Sequence, residues 1–79
     1  MTKKVLENVE GRYANYFKIG QNAFEFVFEF FQLYSDNEKE EEHLHTRIIT
    51  SPIYAKALSK MLQKSIKNYE ASFGKISKE

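Results

Sequence analysis

Cysteine and tryptophan are absent from this chain, and proline occurs once, at Pro52. Without cysteine there is no disulfide and no thiolate metal site. Glycine occurs three times and never clusters, so no glycine-rich phosphate loop is present. No apolar run approaches the ~20 residues of a membrane span. Met1-Thr2-Lys3-Lys4 is not followed by the apolar core of a secretory signal, and the expectation is a cytoplasmic protein with no membrane partner. Nor is there an excess of one charge: the formal net charge is +1, which gives no long-range field toward nucleic acid or lipid. What the chain has instead is seven Phe and five Tyr in 79 residues. A domain this small buries only about 60% of its unfolded surface. Large side chains or a second copy must therefore supply stability, and a homodimer is expected.

The aromatic residues are patterned. Phe24, Phe26, Phe28 and Phe30 recur at every second position, which places them on one face of a β-strand. Tyr13 to Ile19 reads as a preceding strand, interrupted by Gly20-Gln21-Asn22. With Gln21-Asn22 as the hairpin tip, Ile19 faces Phe24, Phe17 faces Phe26 and Tyr13 faces Phe30, while Lys18 meets Glu25 on the other side. A one-residue slip would mix the faces. This register puts Asn15 among the aromatic residues, opposite Phe28. The phenylalanine strand runs to about Tyr34. Residues 35–42 contain no apolar side chain and read as a charged, mobile loop. A third strand follows at His43 to Thr50, with Leu44, Thr46 and Ile48 on one face and His43, His45, Arg47 and Ile49 on the other. Arg47 can reach Glu25 or Glu29 if this strand lies beside the second.

Ser51-Pro52 is a helix start, with serine at the cap and proline in the first turn, and Gly74 marks the stop. Between them Tyr54, Leu58, Met61, Leu62, Ile66, Tyr69 and Phe73 form one apolar stripe at helical spacing. The expected fold class is α+β: a three-stranded antiparallel meander in the order β-β-β-α, with one long C-terminal helix packed on the aromatic face. Residues 1–10 read as a flexible tail or edge segment, 11–76 as the single domain and 77–79 as a C-terminal tail.

Chemistry is sparse. Two histidines, His43 and His45, fall short of the three or four ligands of a metal site. Glu25 and Glu29 stand about 13 Å apart along a strand, too far to act as a catalytic pair. Ser51 and Ser65 have no His-Asp partners. No catalytic residue, metal or cofactor is assigned, and a non-enzymatic protein is expected. Two surfaces are candidates for partners. One is the uncovered sheet face, with Tyr16, Val27, Phe31, His45, Arg47 and Ile49. The other is a ridge of Lys56, Lys60, Lys64 and Lys67 on the helix, spaced to contact phosphates. Self-association, or assembly with another protein, is the leading expectation and nucleic-acid association the alternative.

Three blocks, Gly11-Arg12-Tyr13-Ala14-Asn15-Tyr16-Phe17, Asn22-Ala23-Phe24-Glu25-Phe26 and His45-Thr46-Arg47-Ile48-Ile49-Thr50-Ser51-Pro52, together resemble a family of short bacterial and archaeal proteins classed as a domain of unknown function. The resemblance covers residues 11–76. It implies a small prokaryotic cytoplasmic protein and carries no activity, substrate or catalytic residue with it. It draws attention to the polar residues Asn15, Asn22, His45 and Arg47 within the blocks.

Overall fold

A computed structural model describes residues 4–7, 9–36 and 38–77. The ends of the expected tails, residues 1–3 and 78–79, with Asn8 of the first tail and Asn37 of the acidic loop, lie outside the described residues. Three strands, β1 (Tyr16–Gln21), β2 (Phe26–Ser35) and β3 (Glu40–Thr50), are followed by one helix, α1 (Pro52–Phe73). The sheet order is β1-β2-β3 and both pairings are antiparallel. The expected α+β meander is therefore the fold. The described part of residues 4–15 forms no regular element.

The first hairpin differs from the expected register by four residues. Tyr16 pairs with Phe31, Phe17 with Phe30, Lys18 with Glu29 and Ile19 with Phe28. A tip at Gln21-Asn22 would need positive φ at both residues, and no described residue other than glycine has it. The chain instead turns through Asn22-Ala23-Phe24-Glu25. The Asn22 side-chain oxygen accepts from the backbone N–H groups of Phe24 at 2.7 Å and Glu25 at 2.9 Å. The Asn22 N–H donates to the Glu25 carbonyl at 2.9 Å. An asparagine that bonds the backbone two and three residues on stabilises a turn without any left-handed residue. Phe24 is thereby removed from the ridge and stands 80% exposed at the hairpin tip.

Because four is even, every face is preserved despite the slip. Phe17, Ile19, Phe26, Phe28 and Phe30 still share one side. Asn15 changes its role, since it lies before β1 and not opposite Phe28. Its side-chain oxygen accepts from the Leu33 N–H at 2.7 Å and its amide donates to the Leu33 carbonyl at 3.4 Å. The side chain so continues the strand ladder by imitating a backbone.

The expected acidic loop is shorter than read, since Ser35 ends β2 and Glu40 to Glu42 begin β3. Glu40, Glu41 and Glu42 pair with Ser35, Tyr34 and Leu33, and the Asp36 N–H closes the turn onto the Lys39 carbonyl at 2.7 Å. A bulge follows. Phe30 pairs with Thr46 and Phe31 with Leu44, so His45 has no opposite residue. One extra residue reverses the side on which every earlier β3 side chain lies. Leu44 therefore joins Phe31 on the outer face, away from Ile48. His43 joins Tyr34 on the aromatic side, with ring centroids 4.8 Å apart. His43 thus leaves the face of Arg47 and Ile49 on which it was expected.

Helix α1 begins at Ser51, whose Oγ accepts from the Tyr54 N–H at 3.4 Å. It ends at Gly74, where φ is 98° and the N–H donates to the Glu70 carbonyl at 3.0 Å. The helix lies on the aromatic side: one cavity is lined by Phe17, Ile19, Phe28, Phe30, Leu58 and Leu62. Its contact there is shallow. Ala55 is its one buried residue, 8% exposed, and the only other buried apolar side chain described is Phe31 at 6%. The Cα radius of gyration is 16.1 Å, against about 12 Å for a compact chain of this length.

The register makes a checkable prediction. Phe24→Ser should change stability by less than about 0.5 kcal/mol, as an exposed loop substitution does. Phe28→Ala should cost about 3 kcal/mol, the usual range for a large aromatic residue lost from a packed face. Urea unfolding of both variants would decide it. Equal losses would restore Phe24 to the ridge.

Candidate interaction surfaces

The outer sheet face carries most of the expected surface residues. Tyr16 sits opposite Phe31, Val27 opposite Ile49 and Glu29 opposite Arg47. Each side chain is there because strand alternation sends odd-numbered β2 residues to this side. Phe31 is not surface. The Tyr16 ring lies 5.6 Å away, tilted by 58°, and the Lys18 Nζ stands 4.9 Å from the Phe31 ring centre. Lys18 was expected to meet Glu25. It crosses the face instead to Glu42, 3.2 Å distant, while Glu29 receives Arg47 Nε at 2.8 Å. Two ion pairs and a cation over an aromatic ring thus close much of this side within one chain. Leu44 and Ile49 are apolar residues left open on it.

His45 lies at the bulge, apart from that network. A cleft there is lined by Val9, Glu10, Arg12, Ala14, Phe30, His45 and Thr46. Arg12 enters it from the N-terminal segment, donating to the His45 carbonyl at 3.4 Å and standing 3.8 Å from Glu10. The bulge leaves His45 without an opposite residue, and the guanidinium binds its carbonyl. His43 instead meets the Glu41 carboxylate at 3.1 Å. Among the described residues no group of three or more His, Asp or Glu side chains is placed to hold a metal ion.

The aromatic side is the surface that residue-by-residue reading passed over, because an aromatic ridge facing a helix stripe reads as finished core. Phe17, Ile19 and Ile48 at its margins stay about half exposed. Along the helix, Leu58, Met61, Leu62, Tyr69 and Phe73 are open as well. Tyr69 and Phe73 stack on each other with centroids 5.0 Å apart. The signal that would have revealed this is the junction itself: a single residue, Ser51, separates β3 from α1. Lys60, Lys64 and Lys67 occupy the opposite helix face and Lys56 stands at its edge, lining a cavity with Ile19, Phe26 and Phe28; all four are exposed. No helix among the described residues is long and apolar enough to cross a membrane.

An antiparallel meander carrying one C-terminal helix, without a metal cluster among its described residues, is the class that these features define. The chain belongs to the family described as "Protein of unknown function (DUF3467)", whose model matches residues 3–78. This agrees with the resemblance carried by the three motif blocks. No curated protein and no solved structure matches the chain.

The role of Lys18 is separable into charge and cover. Its ammonium stands over the Phe31 ring, so the stem can cover that ring, and the exposed ion pair with Glu42 adds about 0–1 kcal/mol. Lys18→Met should be tolerated nearly as well as Glu42→Gln, whereas Lys18→Ala should destabilise by about 1 kcal/mol more than Lys18→Met. Thermal unfolding at low and high salt reads the difference. Equal effects of Met and Ala would assign the role to the charge.

Proposed function

We propose that this protein is a non-enzymatic, self-associating assembly module, and that its aromatic side is the surface that associates. The observation that carries the reading is the set of apolar side chains left open on the aromatic side and the helix stripe, among them Phe17, Ile19, Ile48, Leu58, Leu62 and Tyr69. The lone chain exposes 7859 Å², whereas a globular protein of its mass exposes about 5,000 Å². The extended N-terminal segment contributes to the excess, and so do the sheet margin and the helix stripe. A stable interface removes about 800 Å² from each partner, and obligate homodimers remove more. The excess, about 2,900 Å² per chain, exceeds the roughly 1,000–2,500 Å² per partner of an obligate dimer, which leaves room for the N-terminal segment's share. Exposed apolar side chains grouped on one side of a chain mark an interaction site. The outer face, with Tyr16, Val27, Arg47 and Ile49, is a weaker candidate, because its charges are already matched within the chain.

Light scattering over a dilution series tests this reading. The expected result is a dimer with a melting temperature that rises with concentration. Leu62→Glu combined with Tyr69→Glu should yield a monomer that unfolds more easily. A folded monomer at every concentration would remove the proposal.

A second reading is favoured by one observation. Lys56, Lys60, Lys64 and Lys67 are in no ion pair found among the described residues. Four unneutralised cations along one helix face suit a phosphate backbone. If all four contact duplex DNA, log K should fall against log salt with a slope of about −3.6. Titration of labelled DNA and RNA, with Lys60→Glu plus Lys64→Glu as the comparison, measures it. Binding that ignores these substitutions counts against the ridge.

A further inference from the structure

The proposed self-association leaves open what covers the aromatic face, and the strand–helix junction points to an answer. β3 stays paired up to Thr50, opposite Phe26. Ser51 is extended, with φ −81° and ψ 161°, and Pro52 is already helical. Connections that fold a helix flat onto its own sheet usually take about 2–6 residues, and here there is one. The proline ring also holds φ near −65°, so the joint cannot bend freely. The first turn of α1 therefore meets the sheet, where Ala55 is buried beside Phe26, Phe28 and Ile19. Beyond that turn the helix runs beside the sheet as far as Leu62, across a cavity shared with Phe17, Ile19, Phe28 and Phe30, without closing on it. The helix is about 33 Å long, and its contact with the strands is slight along that length.

Short joints of this kind favour exchange of an element between identical copies. The two surfaces left open on one chain are complementary in kind: a half-covered aromatic sheet face and an apolar helix stripe. Both occur on each copy, so a two-fold axis satisfies both at once. We infer that the distal half of α1, with Ile66, Tyr69 and Phe73, lies on the aromatic sheet face of a second copy, while the second copy's helix returns the same contact. This rests on the self-association reading and specifies its geometry. In the assembled pair Lys60, Lys64 and Lys67 stay outward, because they lie opposite the stripe that the exchange buries.

The absence of cysteine makes the test direct, since every cross-link is attributable to an introduced thiol. Chains carrying Ile19→Cys and chains carrying Ile66→Cys or Tyr69→Cys, with different tags, would be unfolded, mixed, refolded and treated with a short bis-maleimide. Circular dichroism would first establish that each variant folds. Exchange predicts covalent pairs joining the sheet thiol of one chain to the helix thiol of the other, in high yield and undiminished by dilution after assembly. The double variant Ile19→Cys/Ile66→Cys should likewise link between chains. If that variant closes within one chain, or if only like thiols join while light scattering still reports a dimer, exchange is overturned and self-association through another geometry stands. If light scattering reports only monomer, both fall.

Discussion

Strand β2 is hydrogen-bonded on both edges, and the other elements take their positions from it. Its even residues supply Phe26, Phe28 and Phe30 to one side, and its odd residues supply Val27, Glu29 and Phe31 to the other. A central strand must satisfy both faces in one register, because a slip by an odd number exchanges them. Asn22 and Asn15 act at the two ends of the β1–β2 hairpin. One closes the turn with its side chain, and the other extends the ladder past the last paired backbone residue. The bulge at His45 is the counterpart on the far edge. It lets Leu44 cover Phe31 while Ile48 remains on the helix side.

The consequence is a sheet whose two faces are finished to different degrees. The outer face is closed by short-range means: a lysine over a phenylalanine, two ion pairs and one tilted aromatic pair. These need no further element. The aromatic face depends on a helix that a single extended residue delivers at one fixed angle. Burial there is confined to the first turn, at Ala55. The charge ridge and the apolar stripe of the helix remain on opposite sides, so closing the apolar face does not consume the cations. Assembly through one surface and contact with an anionic partner through the other are compatible on these grounds.

Much of this was legible in the residues. Period-two aromatics, the Ser-Pro start, the terminal glycine and the 3.6-residue stripe specify three strands and one helix without reference to anything distant. The register was not legible, because hairpins with Gln21-Asn22 at the tip and with Asn22 to Glu25 in the turn both keep the faces pure. Pattern alone cannot separate registers that differ by an even number. The choice rested on where an asparagine oxygen found two N–H groups. Glu40 to Glu42 were read as loop because they lack apolar residues, yet their backbone pairs with β2 regardless of side chain. The candidate outer surface was named in nearly the right place, but Phe31 proved to lie beneath it, since a lysine stem can cover a ring while its charge stays in water.

By itself, then, the sequence determined the element order, the two faces of the central strand and the ends of the helix. Each follows from local periodicity or from capping, which depend on neighbours within a few residues. Tertiary structure alone decided the hairpin register, the bulge at His45 and how far the helix closes on the sheet. Those depend on competition between distant partners: which backbone a side chain reaches, which strand absorbs an extra residue and what angle a one-residue joint allows. The exposed aromatic side follows from that last angle, which is why a pattern that reads as a completed core leaves a surface for a second chain.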